Sequence, residues 1–258
     1  MSGKLQALIF DVDGTLADTE RDGHRVAFNR AFAAAGLGWD WSVDVYGELL
    51  KVSGGKERIR RYLHEHRPDV EASGDTDAYV ADLHQAKNRF YGELVAAGDV
   101  PLRPGVKRLL LEARVAGLRL AIATTTSMEN VTTLLEHCIS PGASRWFEVI
   151  GAGDIVPVKK PAPDIYEFVL EALRLRPGQC LALEDSGNGL RAARAAGLPT
   201  LVTVSDYSRH DDFRGAAVVL DHLGEPGLPV RVLAGDLGGA PCVDVAALRA
   251  LHAGQGQA

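Results

Sequence analysis

Residues 5–17, LQALIFDVDGTLA, hold an apolar run, Leu5 to Phe10, that ends abruptly in Asp11-Val12-Asp13-Gly14-Thr15. Apolar runs of this length bounded by turn residues read as buried strands. This one delivers two carboxylates to the open end of a sheet. Side chains at i and i+2 of an extended chain share a face. Asp11 and Asp13 therefore repel one another unless a cation or a proton resolves the conflict. Gly14 lets the backbone turn sharply and approach a ligand closely. The arrangement suits a Mg²⁺-assisted carboxylate nucleophile with a carboxyl acid/base beside it; the plainer reading is a solvated Asp-Gly turn. A calcium loop fits poorly, because an EF-hand places its glycine later.

Composition narrows the function classes. With 258 residues the chain can bury a full core, as one large domain or two small ones. A net charge of −6 argues against a nucleic-acid or membrane-surface binder, since those carry a basic excess. A phosphorylated substrate stays compatible, because a local basic pocket suffices. Cys138, Cys180 and Cys242 lack metal-like spacing and sit among apolar residues, so free thiols in a reducing compartment are expected. MSGKLQ has no signal-peptide h-region and no apolar run nears membrane-spanning length. A cytosolic monomer without membrane contact is the expectation.

The chain changes character after the first strand. Residues 18–103 carry helical periodicity: Phe28, Phe32 and Ala35 in one helix, Ile59, Tyr62, Leu63 and His66 in a second, and Tyr79, Leu83, Ala86, Phe90 and Leu94 in a third. From residue 104 helix and strand alternate, which implies a parallel sheet covered on both faces. Strands are expected at Leu118–Ala123, Phe147–Ala152, Cys180–Leu183 and Thr200–Val204, with Val218–Leu220 at an edge. The predicted organisation is a Rossmann-like α/β core, residues 1–17 plus 104–222, with an inserted α-helical cap, 18–103. Residues 223–258, rich in Gly and Pro, read as an appended C-terminal tail with one short helical pattern at Val243–Leu251.

In open α/β sheets ligands sit beyond the carboxyl ends of the strands. Strand two ends in Thr124-Thr125-Thr126-Ser127, and hydroxyls with turn amides at a helix N-terminus hold phosphate oxygens well, although Ser127 is also an ordinary N-cap. Strand three leads to Lys159-Lys160-Pro161-Ala162-Pro163-Asp164, where the prolines stiffen the segment that carries Lys160. Its ammonium could neutralise a nucleophilic carboxylate and a transferred phosphoryl group. Strand four ends in Glu184-Asp185-Ser186, and adjacent acids at a strand tip call for a cation.

In order along the chain, DVDGT, Thr124, Lys160 and Glu184-Asp185 resemble the four motifs of the haloacid dehalogenase-like (HAD) phosphohydrolases, over nearly all residues to about 222. The resemblance implies Asp11 as the nucleophile that forms an aspartyl-phosphate and Asp13 as the acid/base. It implies Thr124 and Lys160 as phosphoryl-holding residues. The Mg²⁺ set would be Asp11, the Asp13 carbonyl, Asp185 and, directly or through water, Glu184. It also implies that the helical insert is a cap closing over the substrate. Three other patterns are weaker. Gly187-Asn188-Gly189-Leu190-Arg191-Ala192 fits a dinucleotide turn, but Glu184 and Asp185 would face the pyrophosphate. Gly54-Gly55-Lys56-Glu57 lacks the spacing of a P-loop, and His64 and His66 lie on different helix faces.

Specificity must come from the cap. Ser53, Gly54, Gly55, Lys56, Glu57 and Arg58 form a loop with exposed amides and two cationic candidates for a phosphate. His84 and Lys87 are three apart on the third cap helix, beside its apolar stripe, and Glu20 lies where cap and core join. ADTERDGHRVAFNRAF, SGGKERIRRYL, ATTTSMENV and KKPAPDIY together resemble the CbbY-like subfamily. That group is associated with the Calvin cycle and dephosphorylates xylulose-1,5-bisphosphate, a Rubisco inhibitor, to xylulose 5-phosphate. The resemblance implies a sugar-phosphate substrate contacted by Glu20, the 53–58 loop, His84, Lys87 and the loop Thr124–Asn130, including Thr125, Thr126, Ser127 and Asn130. His24 falls one residue later than is common in relatives. A β-phosphoglucomutase-like mutase and a non-catalytic phosphosugar binder are the competing functions.

Overall fold

The computed structural model describes residues 4–68 and 75–255. Seven strands form one sheet in the order β3-β2-β1-β4-β5-β6-β7. Strand β1 (Ala7–Phe10) lies at its centre, parallel to β2 (Arg119–Ala123) and β4 (Cys180–Glu184), with Ile9 level with Ala121 and Ala182. Every residue of β1 is buried, as expected for a parallel strand with helices on both faces. Its alternation divides the core. Leu8 and Phe10 pack with Leu109, Leu134 and Leu248, whereas Ala7 and Ile9 face Ile165, Val169 and Ala192. The sheet continues through β3 (Phe147–Gly151) on one side and β5 (Thr200–Thr203) and β6 (Val218–Leu220) on the other.

The insert contains α1 (Arg25–Ala34), α2 (Val43–Leu49), α3 (Gly55–His66) and α4 (Thr76–Ala97), around Phe28, Phe32, Trp41, Ile59 and Leu83. Two features differ from the sequence reading. Helix α2 was not anticipated; it is seven residues long with Gly47 inside it, too short to show a period, and is started by Ser42, whose hydroxyl accepts from the Val45 amide. The buried stripe of α4 is Val80, Leu83, Lys87, Tyr91 and Leu94, rotated from the one expected. The helix is clasped by α1 on one side and by the core through Leu94 and Val95 on the other, so Lys87 lies within the stripe and not beside it.

In the core, α5 (Val106–Val115), α6 (Met128–Leu134), α7 (Asp164–Leu173) and α8 (Gly187–Ala195) connect the strands. The tail reading is corrected. Residues 232–235 form β7, antiparallel to β6, so β6 is an interior strand and not the edge. Helix α9 (Val245–Gly254) packs on α5, and Val243, Val245 and Leu248 join the main core. The short helical pattern read at Val243–Leu251 is this helix, and its apolar residues fill the groove beside α5. No helix among the described residues is long and apolar enough to cross a membrane.

The chain enters and leaves the cap through Ala17 and Leu102, which pair with each other. Arg103, 7% exposed, anchors this crossing. Its guanidinium donates to the carbonyls of Gly14, Thr203 (2.9 Å), Val204 (2.7 Å) and Asp221 (2.7 Å), and pairs with Asp18 at 3.3 Å. A buried guanidinium needs this many acceptors to offset its desolvation.

Candidate active site

Strand ends β1, β2 and β4 meet the β3–α7 loop under the cap. Asp11 follows β1, and its amide donates to the Leu183 carbonyl at 3.0 Å. The chain then turns, with Leu16 donating to Val12 and Gly14 at φ +80°. A Cβ on Gly14 would stand 2.1 Å from Asp185 Oδ2, so the glycine is required both by its conformation and by the acid beside it.

Lys160 joins the acids. Its Nζ donates to Asp11 Oδ1 at 2.7 Å and to Glu184 Oε1 at 2.6 Å, with 5% of its side chain exposed. Tyr166, two residues into α7, donates its hydroxyl to the same Glu184 oxygen. Asp11, Glu184 and Asp185 each offer an oxygen within 4.8 Å of the others, and all three are buried. Burial raises the Asp11 carboxyl against the opposing pull of Lys160, and burial with Glu184 repulsion pushes Asp185 up to about 8. Lys160 is raised because its two carboxylates outweigh burial. Three carboxyls facing one ammonium leave a deficit of positive charge, which a hard, oxygen-seeking divalent cation fits. Glu184 is the most fully used of the three, with Lys160 and Tyr166 on Oε1 and the Asp185 amide on Oε2 at 3.3 Å, whereas Lys160 takes only Oδ1 of Asp11.

Asp13 sits in a different environment. Thr19 Oγ1 and His24 Nε2 reach its Oδ1 at 2.6 and 2.8 Å, and Thr126 donates to Oδ2. Burial would raise this carboxyl, but His24 and the three hydrogen bonds hold it well below the usual carboxylate range. The two acids of DVD are thus tuned apart, Asp11 up and Asp13 down.

Asp11, Asp13, Glu20, Ser53, Arg58, Thr125, Lys160 and Asp185 line one cavity of about 880 Å³ between cap and core. The other expected contacts are used elsewhere. Thr126 serves Asp13. Thr124, 1% exposed, accepts from the Thr126 amide. Ser127 caps α6, and buried Asn130 donates to Asn88 of the cap at 3.1 Å. Lys56 pairs with Asp154 at 2.7 Å, and Glu57 with Lys159 at 3.1 Å, so these charges bind cap to core. The Gly54-Gly55 turn is crowded: added Cβ atoms would lie 2.1 Å from Glu57 Oε2 and 2.5 Å from His84 Nε2. Burial and the nearby Lys87 push His84 down to about 3, and burial brings Lys87, set between the Phe28 and Tyr91 rings, to about 8.

The glycines that resemble a dinucleotide turn have another use. A Cβ on Gly189 would overlap the Glu184 carboxylate at 1.9 Å, and the Gly187 amide donates to Asp211. They make room for an acid and do not cradle a pyrophosphate. The residues that sequence reasoning missed are Thr19, His24, Tyr166 and Arg103. Tyr166 lies inside KKPAPDIY, and Thr19 and His24 inside ADTERDGHRVAFNRAF, whereas Arg103 left no signal.

The sequence model of one family, haloacid dehalogenase-like hydrolase, matches residues 5–197. The chain belongs to that family of hydrolases, and the parallel sheet with an acid pair after its central strand is the architecture that goes with it. Within the family it is a CbbY-like protein and a phosphoric monoester hydrolase. It is 51% identical to the plasmid-encoded protein CbbY of Cupriavidus necator over 253 residues, 97% of this chain and 98% of that one. The crystal structure of CbbY from Rhodobacter sphaeroides in complex with phosphate superposes with a TM-score of 0.78 at 48% identity, covering 84% of this chain and 94% of that one. An Asp-to-Asn mutant of the same protein, in complex with xylulose-(1,5)bisphosphate, gives 0.77 at 47%, with the same coverage.

Proposed function

We propose that this chain is a Mg²⁺-dependent cytosolic sugar-phosphate phosphatase that hydrolyses xylulose-1,5-bisphosphate to xylulose 5-phosphate and so removes a Rubisco inhibitor. One observation carries the reading: Asp11, Asp13 and Lys160 share a cavity with the cap residues Glu20 and Arg58. A substrate with a phosphate at each end fits a split of this kind between core and cap. The bisphosphate held by the Rhodobacter sphaeroides CbbY mutant supports the same reading.

Asp11 attacks phosphorus, forming a P–O bond as the sugar oxygen leaves. Asp13 gives that oxygen a proton; its proton affinity rises when a phosphoryl dianion enters beside it. Asp13 then takes a proton from the water that cleaves the aspartyl-phosphate, and inorganic phosphate departs. Thr19, His24 and Thr126 hold Asp13 in position through both halves. Lys160 offsets charge on Asp11 and on the phosphoryl oxygens. Asp11, Asp185 and the Asp13 carbonyl would hold Mg²⁺, with Glu184 behind them, and the bound ion supplies Lewis-acid polarisation of the phosphoryl group. Arg58 and, once released from Asp154, Lys56 take the distal phosphate.

A phosphate-release assay over a panel of sugar phosphates tests this. The reading requires Mg²⁺-dependent release with xylulose-1,5-bisphosphate as the preferred member. Isomerisation of β-glucose 1-phosphate without phosphate release would replace it with a mutase.

A further inference from the structure

Behind Glu20 lies a side chain that does not reach the cavity. Tyr46, in α2, is fully buried, and its hydroxyl donates to Glu20 Oε2 at 2.5 Å. Arg58 Nη1 donates to that hydroxyl at 3.1 Å, and Arg58 Nη2 reaches Glu20 Oε1 at 3.3 Å. A hydroxyl has one donor and two acceptor sites. Accepting from Arg58 therefore leaves its proton for Glu20, which sets the direction of the chain Arg58 to Tyr46 to Glu20. The ring cannot turn away. It packs against Phe28 and Trp41 with centroids 6.1 and 6.0 Å off, and edge-on against Tyr207 of the core at 5.8 Å. Gly47 admits that neighbour, since a Cβ there would lie 3.3 Å from the Tyr207 ring. Burial keeps the phenol protonated.

We infer that Tyr46 is a positioning residue for substrate selection: it fixes the Glu20 carboxylate so that its remaining lone pairs accept hydroxyl groups of a polyol phosphate in the cavity. This rests on the reading of the cavity as a sugar-phosphate site. It explains why a tyrosine, not a phenylalanine, stands at the edge of the cap's aromatic cluster next to a salt bridge.

The test uses the full-length protein with Mg²⁺. Tyr46→Phe retains the ring and loses the hydroxyl. Its kcat/KM for xylulose-1,5-bisphosphate is expected to fall about tenfold, mostly through KM, the loss of one hydrogen bond to a charged group. Turnover of p-nitrophenyl phosphate, which has no sugar hydroxyls, stays unchanged. Glu20→Ala lowers kcat/KM for xylulose-1,5-bisphosphate at least as much as Tyr46→Phe, and the double variant is no worse than Glu20→Ala alone, because both act through one carboxylate. Equal losses on both substrates, or a Tyr46→Phe enzyme that matches wild type while Glu20→Ala is impaired, would overturn the role of Tyr46 and leave the phosphatase reading intact. No loss in either variant overturns both residue roles. If wild type prefers another polyol phosphate, the substrate assignment fails, and the same ratio is read with that compound.

Discussion

Lys160→Met keeps most of the side chain's volume and removes only the ammonium. In the native site that ammonium lies 2.7 Å from Asp11 and 2.6 Å from Glu184, whose side chains are 10% and 1% exposed. Removing one partner of a buried ion pair costs roughly 3–5 kcal/mol, because the other charge stays buried without compensation. Here the orphaned acids can take up protons, and Asp11 and Asp185 are already raised. The loss should therefore lie near the lower end, about 3 kcal/mol at neutral pH. For a chain of this size that is a fall in Tm of roughly 6–12 °C. The pH dependence has a definite sign. A carboxyl whose folded pKa is raised binds more protons folded than unfolded, so stability falls as pH rises through the window between the two values. The deficit of Lys160→Met should shrink as the solution is acidified by a unit or two, and added Mg²⁺ should restore part of Tm, more than it adds to wild type. Urea and thermal unfolding followed by circular dichroism, with and without MgCl₂, read all three effects. A deficit within about 1 kcal/mol of zero, or one that grows on acidification, would refute the reasoning.

Gly14→Ala should weaken activation by Mg²⁺ roughly 10–100-fold, since its Cβ would displace the Asp185 carboxylate; a Mg²⁺ titration of turnover reads it. Leu248→Ala, at a fully buried position in α9, should cost about 2–5 kcal/mol in urea unfolding, where a merely appended tail would show almost nothing. His84 has its folded value pushed from 6.5 to about 3. Between those values the unfolded chain binds a proton that the folded chain does not, so stability declines as pH falls through that window. Tm measured against pH for His84→Gln should show a flatter acid limb than wild type.

The catalytic half of the site was legible because its signals are local. A strand carries its tip residues to the ligand edge wherever the fold is parallel α/β, so Asp11 and Glu184-Asp185 could be placed from strand ends, and Lys160, nine residues past β3, from its stiffened loop and the order of the motifs. The cap half was not. Lys56 read as a free cation, yet its partner Asp154 is 98 residues away on the core. Lys87 read as lying beside the apolar stripe because periodicity describes one packed face, whereas α4 is packed on two. Tyr46 left no trace because α2 is one short helix whose partners come from Glu20, Arg58 and Tyr207. In the tail, Val243 and Leu248 complete a core whose other side is α5, a match that no local period shows. The His24 offset has a plain outcome: the ring still reaches Asp13, packed at a tilt against Tyr91 with centroids 4.1 Å apart.

The central claim is that the core takes the reacting phosphate of a bisphosphate while the cap holds the other. ³¹P NMR of the purified enzyme with xylulose-1,5-bisphosphate and Mg²⁺ tests it most directly. The account predicts loss of the C1 phosphate alone, with xylulose 5-phosphate accumulating, no turnover in Asp11→Asn, and much slower turnover of ribulose-1,5-bisphosphate. Release from both ends without preference, or undiminished phosphate release by Asp11→Asn, would contradict it.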